Sequence, residues 1–172
     1  MENAKNMISS FETLEFYRGI SDTDKIVSPI VHKTRMDRLP RNMSKHLHDE
    51  ADRWFEQHFG IKYRSQALFV SSSWDTARNY ASDDNHVVRI IPTTPYRFCW
   101  SPELADLIEY VATANTGQTI SDFLSQNGYL DADLMAAHAS GNEVMVHCRE
   151  YIAFPVPRPN QLLERSSIIL IK

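Results

Sequence analysis

Three short segments of this chain carry residue types suited to one piece of chemistry: Phe16-Tyr17-Arg18-Gly19, Leu68-Phe69-Val70-Ser71-Ser72-Ser73 and Asn142-Glu143-Val144-Met145-Val146. Each places a polar group at the end of an apolar run. Arg18 offers a planar fork of donors that binds phosphate oxygens bidentately, and Gly19 beside it lets backbone or ligand approach closely; the competing use of such an arginine is an ion pair with a nearby carboxylate. Ser71, Ser72 and Ser73 set three hydroxyls at a strand-to-helix junction, where they can meet an anion or a ribose hydroxyl, or simply cap the helix. No GxSxG sequence surrounds them, so a hydrolase elbow is not indicated. Glu143 opens an apolar strand, where a carboxylate can hold a ribose hydroxyl and stabilise positive charge on a sugar ring, or can be a solvated edge charge. If a sheet gathers all three, the result is a cleft for an anionic, ribose-containing ligand.

Other candidates carry less. Lys33, Arg35, Arg38 and Arg41 form a basic cluster that can extend a phosphate grip, meet an acidic partner, or stand as a solvated loop. His46, His48 and His58 lack the spacing of an HExxH zinc site, and no metal site is expected. Trp54, Phe55 and Phe59 have the spacing of a buried helix face. Trp74 and Tyr80 flank the serine turn and suit either the core or the cover of a ligand ring.

The elements that must position these residues can be read from pattern. Glu12 to Arg18 reads as a strand stopped by Gly19 and the turn Ser21-Asp22-Thr23-Asp24. His32 to Arg41, closed by Pro40, reads as a loop. Helical spacing begins after Ser44, a plausible N-cap, and stops at Gly60. Ala67 to Val70 is a strand, Ser73 caps a helix Trp74 to Ala81, and His86 to Ile91 is a buried strand ended by Pro92. Tyr96 to Trp100 forms another short strand, and Ser101-Pro102 reads as a helix start. Ala112 to Ala139 is mostly helical or irregular. Strands return from Glu143 through His147 and from Tyr151 to Val156, and Ser167 to Ile171 closes the chain as a last strand. With strands concentrated late and helices between them, the class is α+β.

At 172 residues, 42% hydrophobic and 23% charged, the chain suits one globular domain, residues 1–172, with no repeat or linker to split it. A formal charge of −4 gives no reason to expect nucleic acid or an acidic membrane surface. Cys99 and Cys148 stand in no CxxC pattern and read as buried free thiols. The opening MENAKNMISSF lacks an apolar signal core and no membrane-length apolar run occurs, so the expectation is a chain made as a soluble cytoplasmic product.

Taken in order, the three segments resemble the ADP-ribosyltransferase superfamily, in its branch with an arginine, serine and glutamate triad. The matching residues are Tyr17-Arg18-Gly19, Ser71-Ser72-Ser73 followed by Ala77 and Tyr80, and Glu143-Val144-Met145-Val146 with Tyr151 in the next strand, so the likeness spans Phe16 to Val156. The resemblance implies a split β-sandwich that grips NAD as co-substrate, without a metal. It implies that Arg18 holds the phosphates, Ser71 orients the nicotinamide ribose region, and Glu143 binds that ribose and stabilises the cation left as nicotinamide departs. Tyr17, Gly19, Ser72, Ser73, Trp74 and Tyr80 would complete the cofactor site. Members that modify arginine usually carry Glu or Gln two places before the catalytic glutamate; that place here is Gly141, so an arginine acceptor is not expected, and Asn142 would help define the acceptor. The implied activity is mono-ADP-ribosyl transfer to a macromolecule, most naturally a protein, in the manner of bacterial effectors, toxins and phage-encoded proteins delivered into or made inside a target cell. Simple NAD hydrolysis and a non-catalytic binding protein on the same scaffold stay open.

Overall fold

Val144, Met145 and Val146 are apolar at consecutive positions because the strand that holds them is covered on both faces. The computed structural model describes residues 10–21, 26–113 and 117–158. Its strands are β1 (Tyr17–Gly19), β2 (Ile30–Lys33), β3 (Leu68–Val70), β4 (Val87–Pro92), β5 (Arg97–Trp100), β6 (Val144–His147) and β7 (Glu150–Pro155). Its helices are α1 (Lys45–Phe59), α2 (Tyr63–Gln66), α3 (Trp74–Arg78), α4 (Glu109–Thr113), α5 (Ile120–Gln126) and α6 (Leu134–Ser140). The strands form two antiparallel sheets, one in the order β1-β4-β7-β2 and the other β3-β6-β5. The class is therefore mixed α+β.

Side-chain alternation explains the layering. Val144 and Val146 meet Val88, Ile90 and Ala153 of the four-stranded sheet in one core, while Met145 and Cys99 point the other way into a second core with Phe55, Tyr63, Ile120 and Leu124. Helix α1 buries Ala51, Trp54 and Phe55 in that second core, and Phe59 packs at its edge. Ser44 accepts from the Leu47 amide as N-cap, and Gly60, with φ of 74°, ends the helix in the left-handed region. Cys99 and Cys148 are buried free thiols. Among the described residues no helix is long and apolar enough to cross a membrane.

Four expectations change. The first strand begins only at Tyr17; residues 10–13 are helical, with Phe11 fully buried against Phe16 and Tyr96. His32 and Lys33 belong to β2 rather than to a loop, because they pair with Tyr151 and Glu150, a long-range partnership that local sequence does not display. Helix α3 stops at Arg78, short of Ala81. No helix starts at Ser101. Its hydroxyl does accept from the Glu103 and Leu104 amides, but the carbonyls of Ser101 and Pro102 receive the Asn142 side chain, and the amides of Ala105 and Asp106 go to the Glu109 carboxylate. The bonds that would continue the helix are taken. The Asp22-Thr23-Asp24 turn and the strand expected at Ser167 to Ile171 lie outside the described residues.

Candidate functional site

The two sheets touch where the motif residues lie. Tyr17 and Ser71 exchange backbone hydrogen bonds, the Tyr17 amide donating to Ser71 at 2.7 Å and the Ser71 amide to Tyr17 at 2.9 Å. This bridge sets Arg18 at the end of one sheet beside the serine turn of the other. In the second sheet Val70 pairs with Val144, so the antiparallel register brings Ser71 opposite Glu143. The Ser71 hydroxyl donates to the Gly141 carbonyl at 2.7 Å and accepts from the Ser73 amide at 3.0 Å, fixing the approach to Glu143. Its proton is committed to a carbonyl, so among the described residues no base is placed to take it from Ser71.

Arg18, Ser71 and Glu143 line one cleft of about 960 Å³, together with Tyr17, Gly19, Tyr80 and Tyr151. Gly19 is required by contact. A Cβ there would lie 2.2 Å from the Ala77 carbonyl oxygen and 2.7 Å from the Ala81 nitrogen, so β1 rests directly on the backbone of the last turn of α3 and the residues that follow it. Tyr80 donates to Asp106, tying the end of α3 to the 101–108 segment across the cleft rim, and burial with that carboxylate holds its phenol well above the usual range. Ser72, Ser73, Trp74, Gly141 and Asn142 are not among the lining residues. Ser72 donates to the His138 carbonyl, Ser73 caps α3 by accepting from the Thr76 amide, and Trp74 is buried with Ala77 and Val87. Gly141, with φ of 73°, ends α6, and Asn142 bonds to Ser101 and Pro102. These five act as scaffold around the cleft, not as its wall.

Arginines beyond the motif gather here. Arg38 and Arg64 both lie over the Phe69 ring, at 3.9 and 4.2 Å from its centroid, and Arg18 donates to the Phe69 carbonyl at 3.3 Å. Phe69 thus organises three guanidinium groups. Arg64 also donates to Glu143 at 3.0 Å, in a pair whose side chains are only 11% and 16% exposed. Glu143 is nonetheless pushed up to about 7, because burial and the neighbouring Asp106 outweigh the attraction of Arg64 and Arg38. Arg38 is brought down to about 9 by burial and by the like charges of Arg18 and Arg64. Its buried Nη1, like the Nε of Arg64, has no hydrogen-bond partner among the described residues. The cleft lining carries six cationic side chains, Arg18, Lys33, Arg35, Arg38, Arg41 and Arg64, against Asp106 and Glu143, in a chain of net charge −4. Such an imbalance in a concave, partly dry site suits a ligand with several negative charges.

Sequence pattern alone passed over Arg64 and Phe69. Phe69 carries a weak signal, since strand alternation turns it away from Leu68 and Val70, which share the first core. Arg64, in the one-turn helix α2, carries none. His48 is buried with Nδ1 3.7 Å from Asp49 and 3.8 Å from Asp52, yet among the described residues no group of three His, Cys, Asp or Glu side chains is placed to hold a metal ion. Compared with family models, with curated proteins and with solved structures, the chain matches none.

Proposed function

We propose that this protein is a mono-ADP-ribosyltransferase that cleaves NAD at the nicotinamide-ribose bond and passes ADP-ribose to a macromolecular acceptor, most naturally a protein side chain other than arginine. The observation that carries this reading is the convergence of Arg18, Ser71 and Glu143 on one strongly basic cleft, from positions separated by most of the chain. A volume of about 960 Å³ is ample for a dinucleotide. The two antiparallel sheets, bridged at Tyr17 and Ser71, are compatible with the split β-sandwich of that superfamily.

In this reading Arg18 and Arg38 hold the pyrophosphate through charge-assisted donors. The glycosidic C–N bond breaks with its electron pair leaving on the nicotinamide nitrogen. The ionised Glu143 carboxylate faces the ribose cation that forms, and its stabilisation grows with the charge, as transition-state binding requires. The acceptor's lone pair then forms the new bond to the anomeric carbon, and the acceptor's proton passes to solvent water. Because Arg64 bonds the same carboxylate, it sets the orientation in which Glu143 meets the ribose.

The test is incubation with NAD, following free nicotinamide together with covalent label on added proteins. The expected result is nicotinamide release with a labelled acceptor, lowered at least a hundredfold in Glu143→Gln with the fold retained by circular dichroism. Release without label assigns NAD hydrolysis instead. No release by the wild type, together with unaltered biological activity of Glu143→Gln, assigns a binding role to the scaffold.

A further inference from the structure

Among the described residues strand β2 has a partner on one side only. It pairs with β7 and stands at the end of the four-stranded sheet. The ladder's phase is fixed by two bonds, from the Thr34 amide to the Arg149 carbonyl at 2.9 Å and from the Thr93 amide to the Glu150 carbonyl at 3.0 Å. Alternation then turns the backbone groups of Ile30 and His32 toward β7 and those of Val31 and Lys33 outward. Among the described residues nothing pairs with that edge. It carries exposed apolar side chains beside the charge of Lys33: Ile30 is 42% and Val31 60% exposed. Outward backbone groups on a sheet edge are a template for another strand, and an edge lysine favours one that brings negative charge.

The same stretch carries the cations of the cleft mouth. Lys33, the last residue of β2, and Arg35, Arg38 and Arg41, between β2 and α1, all line the cleft. Among the described residues Arg35 has an exposed ion pair with Asp37 alone, at 3.6 Å, which contributes little. In a chain of net charge −4, this is a local reversal of sign. We infer that β2 docks an extended acidic segment of the acceptor protein, which adds as a strand beside Val31 and Lys33, sets its carboxylates against Lys33 and Arg35, and leads its continuation into the cleft past His32. Naming the partner as acceptor rests on the transferase reading; the docking does not. A strand ladder requires backbone amides, which favours polypeptide over nucleic acid here.

Val31→Pro tests it, because proline removes the outward amide while leaving every bond to β7, and Val31 lies outside the cleft lining. The probes are fluorescein-labelled peptides of alternating Glu and Val, the Lys/Val counterpart, and oligothymidylate, followed by anisotropy. The Glu/Val peptide is expected to bind the wild type, at least tenfold more weakly the Val31→Pro protein, and the other two probes not at all at the same concentration. Nicotinamide release without acceptor is expected to be equal in both proteins. Equal binding of the Lys/Val peptide, tighter binding of the oligonucleotide, or undiminished binding to Val31→Pro each overturns the inference. So does a wild-type dimer, seen by ultracentrifugation without peptide and lost in Val31→Pro, which gives the edge to a second copy. Should Val31→Pro fail to fold, amide exchange in the wild type decides: slowing at Val31 and Lys33 on adding the Glu/Val peptide supports the docking, and unchanged exchange overturns it. Absence of NAD cleavage in every sample sinks the transferase reading and leaves the peptide result standing.

Discussion

Glu143 stores a cost in the folded protein. Its folded pKa, about 7, lies above the ordinary carboxylate value, so the fold favours the protonated form; the stability associated with that proton is complete below about pH 4 and is lost as pH rises through 7. Glu143→Gln keeps the neutral form at every pH. We expect its melting temperature to match the wild type at pH 4.5 and to exceed it by several degrees at pH 8, by differential scanning fluorimetry; an equal or lower value at pH 8 would mean that the bond to Arg64 outweighs burial. In the proposed reaction the ionised form does the work, so kcat/KM is expected to fall about tenfold per unit below pH 7. Gly19 is the complementary case, a position where volume rather than charge decides. With backbone atoms 2.2 and 2.7 Å from where a Cβ would sit, Gly19→Ala must push β1 off the α3 terminus, and a loss of roughly 1–3 kcal/mol in urea unfolding is expected. A neutral effect there would show that β1 and α3 move apart freely.

At the scale of elements, the sequence discloses the parts whose causes are local. Ser44 and Gly60 bound α1 through a cap and a left-handed stop, and the β3-turn-α3 unit follows from apolar residues running into serines. What escapes is held by distant partners. β2 exists because β7 lies beside it, and the helix that Ser101-Pro102 announces is cancelled by Asn142 and Glu109, neither adjacent in sequence. The site divides the same way. Arg18, Ser71 and Glu143 are legible because each ends an apolar run, whereas Arg64 reaches Glu143 across 79 positions and Arg38 is drawn into the cleft by the Phe69 ring. Trp74, which the sequence leaves open between core and ligand cover, packs in the core: the first turn of α3 rotates its ring beside Val87.

Across the whole molecule, charge is distributed against its average. A net of −4 argues for no polyanionic partner, yet the cleft lining alone carries six cations and two acids. Composition averages over surface, whereas a ligand samples one concavity. Affinity for inorganic pyrophosphate, measured by calorimetry, is therefore expected to weaken severalfold between about 0.05 and 0.2 M salt, and Arg38→Ala is expected to lower both the affinity and its salt dependence. Indifference to salt would point to binding by shape alone. The Tyr17–Ser71 bridge gives this molecule a built-in reporter. Because the same pair of amides both stitches the sheets and frames the cleft, any breathing that parts the layers also dismantles the cradle. Deuterium uptake at those two positions should consequently track ligand occupancy, slowing when the cleft is filled even though neither amide touches what fills it.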